Sequence, residues 1–192
     1  TSRPFRHTKT GCPERFYQLP YTGIDCSIPS EFSCGSIIKA RIEDVKLDKK
    51  YDVILALDIL EHLEDDRVIC RYLRNNLKDN GIAIVTVPAY QWLFSEHDRV
   101  CRHYRRYSKK QLKDLLSEFE YKIYYYNTLL FPVELIYRIV TKGRNNLKPL
   151  PKPLNAVLYV IFSFEYYLLP LLPFGMSLIA IVTGKREREQ ND

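Results

Sequence analysis

Residues 51–63 read YDVILALDILEHL and join an apolar run to an acidic turn. The run from Val53 to Leu57 is short and nearly all apolar, which is typical of a strand covered on both faces in a parallel sheet. Polar side chains begin where this run stops, at Asp58, Glu61 and His62. Open α/β sheets bind ligands outside the carboxyl ends of their strands, so these residues predict a ligand site at that edge.

The rest of the chain alternates strand and helix patterns, which favours a doubly wound α/β sheet. Strands are predicted at residues 21–26, 36–42, 52–57, 82–87 and 177–183, with a further β-like segment beginning at residue 121. One amphipathic helix is predicted at residues 65–77 and is closed by Asn80 and Gly81. A second begins at Ser108, where Gln111 completes a capping-box pattern.

Residues 132–175 are rich in aromatic and aliphatic side chains and are predicted to form a helical, lid-like insertion within a single domain of residues 1–192. The segment 166–184 carries no charge, but Pro170, Pro173 and Gly175 interrupt it. A buried helix followed by a strand, or an interfacial lid, is therefore favoured over a transmembrane helix. Residues 154–175 are predicted to make peripheral membrane contact.

Charge and cysteine content restrict the partners. The net charge of +6 and the pI near 9.0 fit a phosphate-bearing substrate, a nucleic acid or an acidic membrane surface. The five cysteines form an odd set without CxxC spacing: Cys12, Cys26, Cys34, Cys70 and Cys101. This pattern indicates neither a disulfide framework nor a metal site, and it favours a reducing, cytoplasmic location.

The order of several motifs is more specific than any one of them. Residues 21–25 (YTGID), 42–45 (IEDV), 51–63 and 80–88 (NGIAIVTVP) follow one another as in the class I S-adenosylmethionine-dependent methyltransferases, which the chain resembles from about residue 21 to about residue 185. A subgroup of that family also carries three motifs found here: SEHD at 95–98, HYRRY at 103–107 and LPFGMSL at 172–178.

This resemblance implies a Rossmann-like, doubly wound, mostly parallel sheet with an antiparallel edge strand and a helical insertion before the last strand. It also implies S-adenosyl-L-methionine as cofactor and methyl transfer to a small-molecule or lipid-linked acceptor. The alternative is a catalytically inactive relative that acts as an interaction partner. A nucleic-acid-binding module is disfavoured, because a basic groove and an aromatic platform are not both evident.

The resemblance also assigns cofactor-binding residues. Asp25 would accept hydrogen bonds from the ribose hydroxyls, which suits a carboxylate, and Ile42 would pack against adenine. The full set is Gly11, Asp25, Cys26, Ile42, Glu43, Ala56, Leu57 and Asp58. Two members have competing interpretations: Asp25 as a turn-forming residue, and Glu43 as an exposed loop acid, since Arg41 stands where many relatives carry Asp.

Histidines and aromatic residues supply the candidates for catalysis and acceptor binding. An unperturbed imidazole has a pKa suited to a general base, which makes His62 and His97 the candidates for that role. The predicted acceptor-binding residues are Tyr90, Trp92, His97, His103, Arg106 and Tyr107. The competing interpretations are that Glu61 and His62 form a solvated or structural pair, and that Arg106 and Tyr107 anchor the following helix.

The front of the chain departs from the family pattern. Residues 10–16 (TGCPERF) stand in place of the glycine-rich turn; Gly11 is retained, whereas Glu14 replaces another glycine. Residues 1–20 are therefore predicted to be an incomplete or degenerate version of the first strand and turn. Because the turn brings backbone close to the cofactor, Glu14 predicts weaker cofactor binding than in intact relatives.

Overall fold

The computed structural model describes residues 22–25, 36–129, 131–132, 135–136, 159–160, 163, 165 and 167–184. The chain divides into two compact units, residues 1–46 and 47–192. In the first unit, β1 (Thr22–Asp25) pairs in parallel with β2 (Ser36–Lys39). A 3₁₀ helix follows at Ile42–Asp44. Both strands were predicted from the sequence.

The second unit contains a sheet of β3 (Tyr51–Leu57), β4 (Leu77–Pro88), β5 (Glu120–Tyr126) and β6 (Ser177–Thr183) in the order β3-β4-β6-β5. β3 and β4 are parallel, whereas β6 runs antiparallel to both β4 and β5. Three strands therefore run in one direction, and β5 and β6 form an antiparallel pair at one edge. The predicted Rossmann-like α/β fold is confirmed, and the carboxyl ends of β3, β4 and β5 lie at the same edge of the sheet.

Between residues 58 and 119, which the structure describes in full, the α-helices are α1 (Arg67–Asn76), α2 (Glu96–Val100) and α3 (Lys109–Leu115). Alternate residues of β4 and β6 are fully buried, and so are apolar residues of α1 and α3: Ala83, Val85, Val87, Leu178, Ala180, Val182, Ile69, Leu73 and Leu112. Each large apolar side chain contributes roughly 1.5–3 kcal/mol when buried. This core fixes the sheet whose carboxyl edge carries the candidate site.

The start of β4 differs from the prediction. The strand begins at Leu77, directly after α1, and Asn80 and Gly81 lie within it rather than before it. Pairing to β3 extends the strand: Tyr51 pairs with Leu77 across a register irregularity, and Lys78 Nζ donates to both carboxylate oxygens of Asp52 at 2.9 Å. These are tertiary contacts, which a local turn signal does not reveal.

The prediction that β3 is covered on both faces is wrong. Val53, Leu55 and Leu57 are 57%, 58% and 51% exposed, whereas Ala56 on the opposite face is buried. Side chains two positions apart share a face of a strand. One face of β3 is therefore packed and the other is open to solvent.

Between β5 and β6, the described residues with regular structure are helical and end in a 3₁₀ helix at Leu169–Leu171. Most of the insertion predicted for residues 132–175 lies outside the part of the chain that the structure describes. Within the described part, none of the helices combines the length and the apolar character needed to span a bilayer. The end of the uncharged segment is β6, as predicted.

Candidate functional site

Three of the strand ends at the common edge carry a residue in the left-handed backbone region. Asp58 (φ 50°) follows β3, Tyr90 (φ 62°) lies two residues beyond β4, and Asn127 (φ 58°) follows β5. Asp and Asn tolerate this conformation, but it is costly for a bulky side chain such as that of Tyr90. Such strain concentrates at functional sites, which supports the edge as the site.

Asp58 is fixed at the end of β3 by Thr86 of the neighbouring strand. The Asp58 backbone N–H donates to Thr86 O at 3.1 Å and to Thr86 Oγ1 at 3.0 Å, and Thr86 Oγ1 donates to Asp58 Oδ1 at 3.0 Å. The residue remains exposed. The structure thus presents an oriented carboxylate to solvent at the predicted position.

Glu61 lies in the 3₁₀ helix Leu60–His62 and is buried, with 1% exposure. Its Oε2 atom has no hydrogen-bond partner among the described residues. Burial raises the pKa of Glu61 to about 8, and the negative charges of Asp58 and Asp98 act in the same direction. Tyr104 N donates to Glu61 O at 2.7 Å, so the loop after α2 packs directly on this turn.

His62 and His103 meet beside Glu61, although they are far apart in the sequence. Their rings lie edge to face with centroids 4.6 Å apart. One side-chain N or O atom from each of Glu61, His62 and His103 lies within 4.8 Å of the other two. Burial and the neighbouring His103 lower the pKa of the His62 imidazole, part of which is exposed to solvent.

Asp98 supports this cluster through its contact with the His103 ring. It is fully buried, and its Oδ1 accepts from Arg106 Nε at 2.8 Å and lies 3.1 Å from His103 Nδ1. Its Oδ2 accepts from the Ser95 backbone N–H at 2.8 Å. Burial alone would raise the pKa of Asp98, but hydrogen bonds from Arg106 and Ser95 outweigh it and lower the value to about 2. The loop after α2 is thus built around a buried ion pair.

Arg106 and Tyr107 are almost fully buried, at 3% and 2% exposure. Tyr107 Oη donates to Leu60 O at 3.2 Å and to Asp66 Oδ2 at 2.9 Å, and burial raises its pKa well above the usual range. These contacts tie the loop to the turn of Glu61. They favour the interpretation that both residues have an anchoring role.

An aromatic cluster lies at the carboxyl end of β4. We call it the aromatic ledge; it consists of Tyr90, Trp92, Tyr125, Phe131 and Phe174. Tyr90 stacks on Tyr125 at 5.7 Å and contacts Trp92 and Phe131 at 5.6 and 6.0 Å. Phe174 extends the ledge through Phe131 at 5.5 Å, and Trp92 is 64% exposed. The ledge offers an accessible aromatic surface to a flat or apolar molecule.

The sequence identified only part of the ledge. Tyr90 and Trp92 were predicted to bind the acceptor, but Tyr125, Phe131 and Phe174 were missed, because they come from segments that reach this edge only through sheet pairing. Asp98 was also missed. Its signal was the capping-box spacing from Ser95, which the structure contains.

Other predicted residues have different surroundings or lie outside the described part of the chain. The His97 ring contacts Cys101 Sγ, with both nitrogens within 3.8 Å. In the first unit, Ile42 is half-buried, and exposed Glu43 pairs with Arg41 at 2.9 Å, which lowers the pKa of Glu43. Asp25 ends β1 as predicted. Its side chain, together with Gly11 and Cys26, lies outside the described part.

A family profile described as "Methyltransferase domain" matches residues 11–126. Among curated proteins, the ubiquinone biosynthesis O-methyltransferase of Rickettsia canadensis is 37% identical over 49 residues, which is 26% of this chain and 21% of that protein. The corresponding protein of Rickettsia bellii gives the same identity over the same length, covering 20% of its own sequence. The match therefore spans about a fifth of these relatives' length.

Solved structures share the fold. A possible histamine N-methyltransferase from Thermotoga maritima is 14% identical with a TM-score of 0.53, over 85% of this chain and 72% of that one. The plantazolicin methyltransferase BpumL, in complex with a monoazolic desmethylPZN analogue and S-adenosylhomocysteine, is 16% identical with a TM-score of 0.53, over 87% and 67% of the two chains. At these identities the similarity concerns the fold.

Proposed function

Because this chain belongs to the methyltransferase-domain family, whose cofactor is S-adenosylmethionine, we propose that it transfers a methyl group from S-adenosylmethionine to a small-molecule or lipid-linked acceptor. The observation that carries the proposal is the family match across residues 11–126, which includes β1 of the first unit and, in the second unit, β3, β4 and the turn with Asp58, Glu61 and His62. The predicted cofactor residues at that edge are Ala56, Leu57 and Asp58.

The acceptor is proposed to be a hydroxylated aromatic compound that lies on the aromatic ledge. The curated relatives are O-methyltransferases by name. Exposed Trp92 and half-buried Tyr90 supply a surface on which a flat ring can stack. Such stacking would hold the acceptor hydroxyl in one orientation, and positioning is a large part of catalysis for a displacement reaction.

The transfer itself needs few protein groups. The acceptor oxygen attacks the methyl carbon of the sulfonium, the carbon–sulfur bond breaks, and the cofactor leaves as a neutral thioether. The hydroxyl proton must also depart. His62 is accessible beside the end of β3 and its pKa is lowered by burial, so it is the proposed acceptor of that proton.

Calorimetric titration with S-adenosylhomocysteine tests the cofactor half of this proposal. We expect the native chain to bind. Asp25→Ala and Asp58→Ala should bind at least about tenfold more weakly, because each loses charge-assisted hydrogen bonds to the cofactor. Asp52→Ala should bind like the native chain. Asp52 is the matched control, because it is an exposed Asp at the opposite end of β3. Absence of binding by the native chain would contradict the proposal and favour an inactive relative.

Methyl transfer from isotopically labelled S-adenosylmethionine to a panel of hydroxylated aromatic compounds tests the acceptor half. Trp92→Ala should raise KM more than it lowers kcat, because stacking contributes to binding before the reaction. Val100→Ala serves as control, since Val100 is also exposed, at 74%, and belongs to α2 rather than to the ledge. Equal kinetics for Trp92→Ala and the native enzyme would remove the ledge from the acceptor site.

A lipid-linked acceptor also requires contact with a membrane surface, which we propose occurs through residues 154–175. Several apolar side chains of this range are exposed: Tyr159 at 74%, Val160 at 52%, Leu171 at 77% and Phe174 at 41%. Exposed apolar residues near basic charge favour binding at a lipid interface. Sedimentation with anionic vesicles should decrease for Leu171→Asp but not for Val100→Asp, and equal sedimentation of both variants would contradict this role.

A further inference from the structure

We propose that Glu61, His62 and His103 form a binding site for a divalent transition-metal ion of the Zn²⁺ class. The two imidazoles and one carboxylate are the donor set found in many zinc and non-haem iron sites. The cysteine pattern gave no indication of such a site, because none of its donors is a thiolate. The inference goes beyond the proposed methyl transfer and rests on the geometry of the three side chains.

The first argument is the distance between the donor atoms. One from each residue lies within 4.8 Å of the others. In a tetrahedral zinc site with bonds of about 2.1 Å, ligand atoms lie roughly 3.4 Å apart. Small side-chain rotations therefore bring the three donors to a common ion. His62 is exposed, and it can make this adjustment without disturbing the core.

The second argument is the buried oxygen of Glu61. Oε2 has no hydrogen-bond partner among the described residues, and the side chain is 1% exposed. An unpartnered buried carboxylate oxygen costs several kcal/mol as a charged group. A bound cation would supply a partner for this carboxylate, one oxygen of which lies within 4.8 Å of a nitrogen of each imidazole.

The third argument is the support behind His103. Its Nδ1 faces Asp98 Oδ1 at 3.1 Å, which leaves Nε2 to coordinate an ion. A carboxylate that holds the remote nitrogen of a histidine is the usual arrangement behind metal ligands. Asp98 is itself fixed by Arg106 and Ser95, and the His103 backbone N–H donates to Asp98 O at 2.8 Å. His103 is therefore oriented before an ion arrives.

Within this cluster, the His62 side chain is exposed to solvent. Three protein ligands leave at least one coordination position for water or another oxygen ligand. If the proposed methyl transfer is correct, an acceptor hydroxyl would occupy that position and the ion would favour its deprotonated form, so His62 would act as a ligand and would accept the proton only in the metal-free chain. The metal site itself does not depend on that role.

Titration of the purified chain with Co²⁺ and Zn²⁺, in the absence of S-adenosylmethionine, tests the proposal independently of activity. We expect one Co²⁺ per chain with visible absorption bands of four- or five-coordinate cobalt, displaced by Zn²⁺. His62→Ala and His103→Ala should weaken binding by more than the roughly 10–100-fold typical of losing a supporting residue. Glu61→Gln should have the same effect. Circular dichroism establishes that each variant is folded, and exposed His62 gives the variant least prone to unfold.

His97→Ala is the comparison variant, because His97 is not one of the three residues whose donor atoms come together and its ring contacts Cys101. It should bind Co²⁺ like the native chain. The proposal is overturned if the native chain binds neither metal, if His62→Ala binds as tightly as the native chain, or if His97→Ala abolishes binding. A chain that binds metal but not S-adenosylhomocysteine would refute the proposed methyl transfer and leave the metal site intact.

Discussion

Arg102 shows how a single backbone angle sets a side-chain preference. Its φ is 60°, a region where residues other than glycine are strained by about 1–2 kcal/mol. Glycine relieves that strain but adds about 0.5–1 kcal/mol of chain entropy to the unfolded state. Arg102→Gly should therefore stabilise the metal-free protein by roughly 0.5–1 kcal/mol, measured as the free energy of unfolding in urea.

Arg99→Gly is the control for this effect. Arg99 is also exposed and lies three positions earlier, inside α2, where glycine costs about 1 kcal/mol. The two arginine-to-glycine changes should thus have opposite signs. Destabilisation by both would show that the left-handed conformation at Arg102 is not a source of strain.

A substitution in the buried ion pair of Asp98 and Arg106 is expected to destabilise the protein. Asp98→Asn keeps the size of the side chain but leaves the Arg106 guanidinium, at 3% exposure, without its counter-charge. Removing one partner of a buried pair costs about 3–5 kcal/mol. Denaturant unfolding should show a loss of this size for Asp98→Asn.

Asp52→Asn provides the comparison, because Asp52 also pairs with a basic residue, Lys78, but does so in solvent. Exposed pairs contribute little, so no measurable loss is expected there. If the two variants unfold at the same urea concentration, the Asp98 pair does not hold the loop after α2.

At the scale of single elements, α3 gives the sharpest test of a local signal. Ser108 accepts from the Gln111 backbone N–H at 3.2 Å, and Gln111 Oε1 accepts from the Ser108 backbone N–H at 2.9 Å. Ser108→Ala should cost about 1 kcal/mol, because it leaves a helix donor unsatisfied. Ser117→Ala, an exposed serine beyond the other end of the helix, should change stability little. Equal losses would mean that the cap does not contribute.

Elements with local signals were predictable from the sequence. Ser108 and Gln111 mark the start of α3, and the β-branched run at residues 177–183 gives β6 its observed bounds. The start of β4 was not predictable, because Lys78 is drawn into the strand by Asp52 of a different element. Periodicity also could not distinguish a strand covered on one face from one covered on both, so the open face of β3 was missed.

The candidate site also has parts that were predictable from local sequence and parts that depend on tertiary contacts. Asp58 and Glu61 were placed at the strand end by adjacency in the sequence alone. The meeting of His62 with His103, and the burial of Glu61 beneath Tyr104, depend on how the loop after α2 folds back over the turn. Donors separated by some forty residues give no local pattern, and a metal-binding prediction based on cysteine spacing therefore had nothing to detect.

At the scale of the whole second unit, strand direction explains why these groups share one edge. β3, β4 and β5 run the same way, so their carboxyl ends bring together Asp58, Tyr90 and Asn127. The opposite end of the sheet carries ordinary exposed ion pairs, such as that of Lys78 with Asp52. Three of the four non-glycine residues with a left-handed backbone in the described part of the chain therefore lie at the edge that carries the candidate ligand-binding groups, as expected for an open α/β sheet.

Side chains of this sheet are buried to different degrees in β3 and β4. The same substitution made once in each strand measures the effect on stability. Val53 of β3 is 57% exposed, whereas Val85 of β4 is fully buried. Valine and threonine have nearly the same shape and similar strand propensity, so the exchange differs between the two positions mainly in the environment of the new hydroxyl. Val85→Thr buries that hydroxyl and should cost about 1–3 kcal/mol.

Val53→Thr should change the free energy of unfolding by no more than about 0.5 kcal/mol, because its hydroxyl stays in water. It should also reduce aggregation, since it removes part of an apolar stripe that Val53, Leu55 and Leu57 expose together. Urea unfolding and light scattering measure the two effects. A loss of stability at Val53 equal to that at Val85 would mean that this face of β3 is covered in solution, and that the parallel-sheet interpretation of the apolar run was correct.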